Sequence, residues 1–182
     1  MKNAIRQLRE AAISLGATTA KIIPASAIVV DERARLKCLV PLCDKYNHYR
    51  MCPPNLPSVE EFRKAVKKYS KALFVQLALE QKGKISKTEA RRHSLKLQTM
   101  IHELEKKAFS LNFPMAAGLI SGSCKLCRTC VGIHRPCRHP FMARPSMEGM
   151  GIDVIQTAKR VGFPFTFLKP DRLVWNGLIL LC

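Results

Sequence analysis

Acidic residues are scarce in this chain. Its 182 residues hold 13 Asp and Glu against 31 Lys and Arg, a formal charge of +18. So large an excess excludes a self-neutralised surface and attracts anions over long range: nucleic acid, an acidic protein or a phosphorylated ligand. Long apolar runs are also missing. The opening stretch, MKNAIRQLREAAISLGA, is charged and amphipathic and has no run of the kind a signal peptide or membrane span requires. The expectation is a cytoplasmic protein that does not enter a membrane. No recognised nucleic-acid motif accompanies the charge. The densest basic stretch, EQKGKISKTEARRHSLK, lies on a predicted helix and reads as a solvated face, which ranks nucleic acid below an acidic protein or a small anion. Repeats, low-complexity segments and interdomain linkers are absent too, so residues 1–182 read as a single domain. A chain of this length buries roughly 70% of its unfolded surface and builds a core without disulfide staples.

Periodicity supplies the elements. Ile5, Leu8, Ala12 and Leu15 predict a helix over 3–15, stopped by Gly16. TAKIIPASAIVV predicts a short strand broken by Pro24. Ser58 and Glu61 form a capping box opening a helix to about Tyr69, with Phe62, Ala65, Val66 and Tyr69 as its buried face. KALFVQLALE reads as a strand. A second capping box, Ser86 and Glu89, opens the longest helix, whose face is Leu97, Ile101, Leu104, Ala108 and Leu111. PMAAGLISGS is a buried strand, and Asp153 caps a short helix to Arg160, closed by Gly162. FPFTFL and RLVWNGLILL read as two further strands joined at KPD. The alternation predicts an α/β (or α+β) fold, with a sheet of four to five strands covered by helices. Two cysteine-rich loops are expected at one end of that sheet.

Cysteine is what this chain has in concentrated form. CKLCRTCVGIHRPC holds Cys124, Cys127, Cys130 and Cys137, and CLVPLCDKYNHYRMC holds Cys38, Cys43 and Cys52. Both groups lie in aperiodic, Pro-containing segments that read as loops. An odd number of thiols in the first group, and neighbours three apart in the second, fit a disulfide framework poorly. In a reducing compartment such clusters are metal ligands or redox groups. One C-x-x-C turn suits any tetrahedral thiophilic metal. Three sulfurs at i, i+3 and i+6 point further, toward a multi-iron centre whose ligands separate its irons. C-x₂-C-x₂-C begins the bacterial ferredoxin pattern, but here the fourth cysteine comes later and follows Pro136 rather than preceding a proline. The first group, C-x₄-C-x₈-C, offers three thiolates to a [4Fe–4S] cluster and leaves one iron open, or takes Cys137 as its fourth ligand. The expected cofactor is one or two [4Fe–4S] clusters, with zinc the alternative. Cys182 ends an apolar strand and reads as a small core residue.

The residues between the ligands are cationic: Arg128, His134, Arg135, Arg138, His139 and Arg144. They read equally as solvated loop charges or as groups that raise a cluster's potential, recruit an acidic electron donor or anchor an anionic substrate. His134 and His139 are candidate replacement ligands. Arg128, Arg138, Arg144 and Glu148 are the candidate anion or substrate contacts.

RLKCLVPLC, YRMCPPNLPS, SCKLCRTC, PCRHP and ARPSMEGMGIDV resemble, in that order, a prokaryotic family known only as predicted metal-binding proteins, a domain of unknown function. The resemblance runs from about Cys38 to the C-terminus. It implies metal binding through the same seven cysteines, with an iron–sulfur centre suspected, and draws in Arg144 and Glu148 through the RPSMEGMGID stretch. It brings no reaction. The leading expectation is an iron–sulfur protein in electron transfer or as a redox accessory. Its rivals are a zinc-stabilised basic module for nucleic acid or an acidic partner, and an enzyme with an open cluster iron.

Overall fold

In β2 (Lys71–Glu80) and β4 (Arg172–Leu181) neighbouring residues point to opposite sides of a sheet, and both sides are apolar. Ala72, Phe74, Leu178 and Leu180 enter one core, while Leu73, Val75, Ile179 and Leu181 enter another. A strand buried on both faces must be central. The computed structural model, which describes residues 2–163 and 171–182, places these two strands side by side at the middle of a four-stranded sheet. The order is β1-β2-β4-β3, with β1 Thr19–Pro24 and β3 Ala117–Ile120 at the edges and every pairing antiparallel. Pro24 ends the edge strand β1, where its missing N–H costs no ladder bond.

One face is covered by α1 (Lys2–Ser14) and the long α4 (Lys87–Ser110). Ile5, Leu8 and Ala12 of α1 meet Leu97, Ile101, Leu104 and Ala108 of α4 over the sheet. α4 lies close because two strand positions are glycine. A Cβ on Gly177 would stand 2.4 Å from Ile101 Cδ1, and one on Gly118 would stand 2.7 Å from Ile101 Cγ2. The other face is covered by α3 (Val59–Val66), α5 (Val154–Arg160) and the segment holding Met147, Met150 and Ile152. Each fully buried Leu, Ile or Phe in these cores contributes about 1.5–3 kcal/mol.

Both expected capping boxes are formed, Ser58 with Glu61 at α3 and Ser86 with Glu89 at α4, and Asp153 caps α5. Two expectations are corrected. Ala65 is exposed, because α3 turns only Val59, Phe62 and Val66 inward. Cys182 is exposed, since β4 ends at Leu181 and the last residue runs past the sheet. α2, Glu32–Leu36, which the sequence pattern leaves unassigned, precedes the first thiols, with Asp31 as its cap. The expected strand FPFTFL lies, from residue 164 on, outside the described residues.

The chain leaves β3 beyond Ile120 and returns beside it. Ile120 bridges Ser146 in parallel, and Met147 N–H donates to Ile120 O at 2.8 Å. Val30 bridges Ile152, and Ser146 N–H donates to Met51 O at 3.2 Å. These bonds gather both cysteine loops at the C-terminal end of β3. Among the described residues no helix is long and apolar enough to cross a membrane.

Candidate metal centre

The first loop is a series of tight turns. Cys38 N–H donates to Arg35 O at 2.9 Å, Cys43 N–H to Cys38 O at 3.0 Å and Cys52 N–H to Tyr49 O at 3.1 Å. Asn47, in the left-handed region at φ 57°, donates its N–H to Pro53 O at 2.8 Å and folds the segment back on itself. The three thiols thereby fall within electrostatic range of one another. Burial, then Cys43 and Cys38, pushes the Cys52 thiol up to about 12. Burial, then Cys43 and Glu148, also raises Cys38, against the opposing pull of Arg35.

The second loop wraps its four thiols around a single space. Cys124, Cys127, Cys130 and Cys137 all line a cavity of about 20 Å³, closed from the first loop by Tyr49, Arg50 and Met51. Cys137 thus sits with its own group. Cys124 joins the two groups, since it is also one of the thiols that raise Cys52. All eight cysteines are free.

Side chains from elsewhere hold the loops in place. The buried Gln98 of α4 donates to Cys124 Sγ at 3.1 Å and accepts the Lys125 N–H at 2.9 Å. Arg91, two turns earlier on the same helix, donates to the carbonyls of Lys125 at 3.1 Å and Cys127 at 2.8 Å. Arg50 ties the first loop to the second through Ile133 O at 2.8 Å and Arg135 O at 3.1 Å. Sequence reasoning passed over all three. For Gln98 a signal existed: with the buried Ser94 it continues the inward stripe of α4 as a polar residue, whereas Arg91 is exposed and gives no such mark. A polar residue on a buried stripe needs a partner. For Arg50 no local signal exists, because its partners lie 83 and 85 residues away.

The cations divide into engaged and outward-facing groups. Arg144 is 12% exposed and bound to the Glu105 carboxylate, and it also donates to Phe141 O and Ala143 O at 2.9 Å. Glu148 accepts the Gly122 N–H at 3.0 Å and the Ser146 hydroxyl at 2.7 Å. Arg138 reaches Thr129 O at 3.2 Å, and the His139 N–H donates to Cys137 Sγ at 3.4 Å. Arg128, His134 and Arg135 are exposed.

Beside the first triplet runs a groove of about 1300 Å³. Lys37, next to Cys38, and Ser123 and Lys125, flanking Cys124, line it together with Glu148. Burial, then the positive charges of Lys45 and Arg91, lowers the Lys125 pKa.

A family model described as predicted metal-binding protein, DUF2284, matches residues 21–181. The chain belongs to this family. No curated protein and no solved structure gives a significant match. The family description raises the question of fit, and the donors answer it in kind: seven thiols on two loops tied together, the soft ligands that select zinc or iron–sulfur centres. The fit in space is looser. Among the described residues no group of three or more His, Cys, Asp and Glu side chains is already gathered into a metal-ion site. The four cysteines of the second loop line one cavity, whose volume of about 20 Å³ is little more than a water needs. A sulfur–metal bond of about 2.3 Å is far shorter than van der Waals contact. A bound centre therefore requires the thiols to shift: a single ion draws them together, and a cluster needs the space between them opened.

Proposed function

We propose that the chain is an iron–sulfur protein carrying one or two [4Fe–4S] clusters, with Cys124, Cys127, Cys130 and Cys137 as a four-thiolate site. The observation that carries this reading is that those four line one cavity. Four thiols on one cavity suit a centre in which each sulfur holds a different iron. Cys38, Cys43 and Cys52 form a second set of three thiolates, beside the groove, with no fourth cysteine among them.

When bound, such a cluster supplies one-electron transfer. The chain's own residues set the terms. Gln98 and the His139 N–H hydrogen-bond to ligand sulfurs and favour the more negatively charged, reduced state. Lys125, Arg138 and the surplus charge act in the same direction. Arg50 and Arg91 fix the loop backbone so that the sulfurs keep their places. The role is electron transfer or redox support for a larger enzyme, in a reducing compartment. The strongly basic surface fits an acidic redox protein as partner.

Two variants of anoxically prepared protein test this assignment. Cys137→Ser and Cys43→Ser each remove one ligand from a different set. If both sets bind, each variant keeps the other set's iron and loses its own. If only the second loop binds, Cys137→Ser loses all iron and Cys43→Ser none. Full iron and sulfide retention in Cys137→Ser would sink the four-thiolate site.

A further inference from the structure

The groove that reaches Lys37 and Lys125 is strongly cationic. Six cations line it against three carboxylates, and those carboxylates are engaged. Asp31 holds Arg33, Glu148 holds Gly122 and Ser146, and Asp153 caps α5. Lys37, Lys87 and Lys159 form no ion pair among the described residues. The groove's lining includes two buried polar residues. Ser94 is 7% exposed and Asn176 3% exposed, and both line the groove. Asn176 Oδ1 accepts from Gln76, but its amide nitrogen, like the Ser94 hydroxyl, has no hydrogen-bond partner among the described residues. Neither atom is sealed from solvent, so each can exchange a water for a ligand atom in the groove. Trp175, the only tryptophan, completes the wall, with His93 stacked on it at 5.6 Å between ring centroids.

We infer that this groove binds a small phosphate ester bearing a flat ring, of nucleotide size. Its phosphates would meet the lysines and its ring would lie against Trp175, with Ser94 and Asn176 reading its polar atoms. A cavity of about 1300 Å³ is ample, since small-ligand sites run to about 300–1,000 Å³. The groove reaches the thiol loops at Lys37, which precedes Cys38, and at Lys125, which follows Cys124, so a bound ligand lies near both loops although no cysteine lines it. That adjacency rests on the reading of Cys38, Cys43 and Cys52 as an open site; the binding itself does not.

The sole tryptophan is the built-in reporter. Anoxically prepared full-length protein is titrated with ADP, following Trp175 emission and heat, with iron and sulfide measured on the same sample. ADP should quench emission saturably. Adenosine and pyrophosphate, each with half of the recognition, should bind at least about tenfold more weakly. Lys87 and Lys159 are exposed, so Lys87→Ala/Lys159→Ala should fold normally and lose affinity for ADP by about tenfold or more. Unchanged emission and no heat at millimolar ADP would overturn the proposal, as would undiminished binding by the double variant. Tight binding of an oligonucleotide that ADP cannot displace would overturn it too, in favour of a nucleic-acid track. ADP binding by protein devoid of sulfide would defeat the cluster reading and leave the groove intact. Cluster-loaded protein indifferent to ADP would defeat the groove alone.

Discussion

The Gln98 side chain spans Cys124 and Lys125: its amide donates to Cys124 Sγ at 3.1 Å while its carbonyl accepts the Lys125 N–H at 2.9 Å. One fully buried amide on the long helix thus sets the position of the first thiol in the C-x₂-C-x₂-C run. Gln98→Leu keeps the volume and removes both bonds. The Lys125 N–H then loses its acceptor, at a cost of about 1–3 kcal/mol. Metal affinity should fall about 10-fold to 100-fold, the usual loss when a partner of a ligand is removed. The reduction potential of whatever cluster remains should move negative, because a donor to the ligand sulfur is gone. Metal competition with a chelator and a redox titration read the two effects separately.

Arg144 and Glu105 form a partly buried pair between the returning loop and α4, and Glu105 also accepts the Gly118 N–H at 3.1 Å. Arg144→Ala leaves that carboxylate facing a glycine in a strand. The fully buried case costs about 3–5 kcal/mol, and partial exposure lowers the expectation to about 2 kcal/mol. The urea midpoint should drop accordingly. Were Arg144 a ligand contact and not a brace, stability would hold and only binding would change.

Gly177 in β4 is where α4 comes closest to the sheet. Gly177→Ala drives a methyl group into Ile101, at a cost of about 1–3 kcal/mol. Gly177 adjoins Asn176 in the groove wall but touches no thiol loop among its nearest atoms, so iron content per folded molecule should be unchanged. Thermal unfolding with parallel metal analysis checks both statements.

Ser86 caps α4, the helix that carries Arg91 and Gln98. Ser86→Ala should cost about 1 kcal/mol. The Ser86 hydroxyl and backbone N–H hold the Glu89 carboxyl below its ordinary 4.5. A carboxyl depressed on folding adds stability above its unfolded pKa and loses it as pH falls through 4.5 and below. The gap between wild type and Ser86→Ala should therefore be full at neutral pH and shrink in acid. Denaturation at pH 7 and at pH 3 tests this.

Much of the fold is legible because burial leaves a period behind. Leu97, Ile101, Leu104 and Ala108 repeat at helical spacing and are buried together. The two capping boxes mark helix starts to the residue. Short elements without an apolar face escape: α2 has no buried residue, so nothing in its pattern distinguishes it from loop. At the site, spacing identifies the thiols but not their grouping. Pro136 and the late position of Cys137 leave its partner open in the sequence, and only the folding of the second loop seats it with Cys124, Cys127 and Cys130. Arg144 shows the converse limit. Its motif reads as a ligand contact, and its carboxylate partner, Glu105, lies 39 residues away on a helix face.

The most direct test of the account is iron and acid-labile sulfide analysis of protein purified without oxygen, together with the spectrum of its dithionite-reduced form. The account predicts brown protein with iron and sulfide in equal amounts, about four or about eight of each per chain, and a paramagnetic reduced state. Colourless protein holding stoichiometric zinc and no sulfide would contradict it.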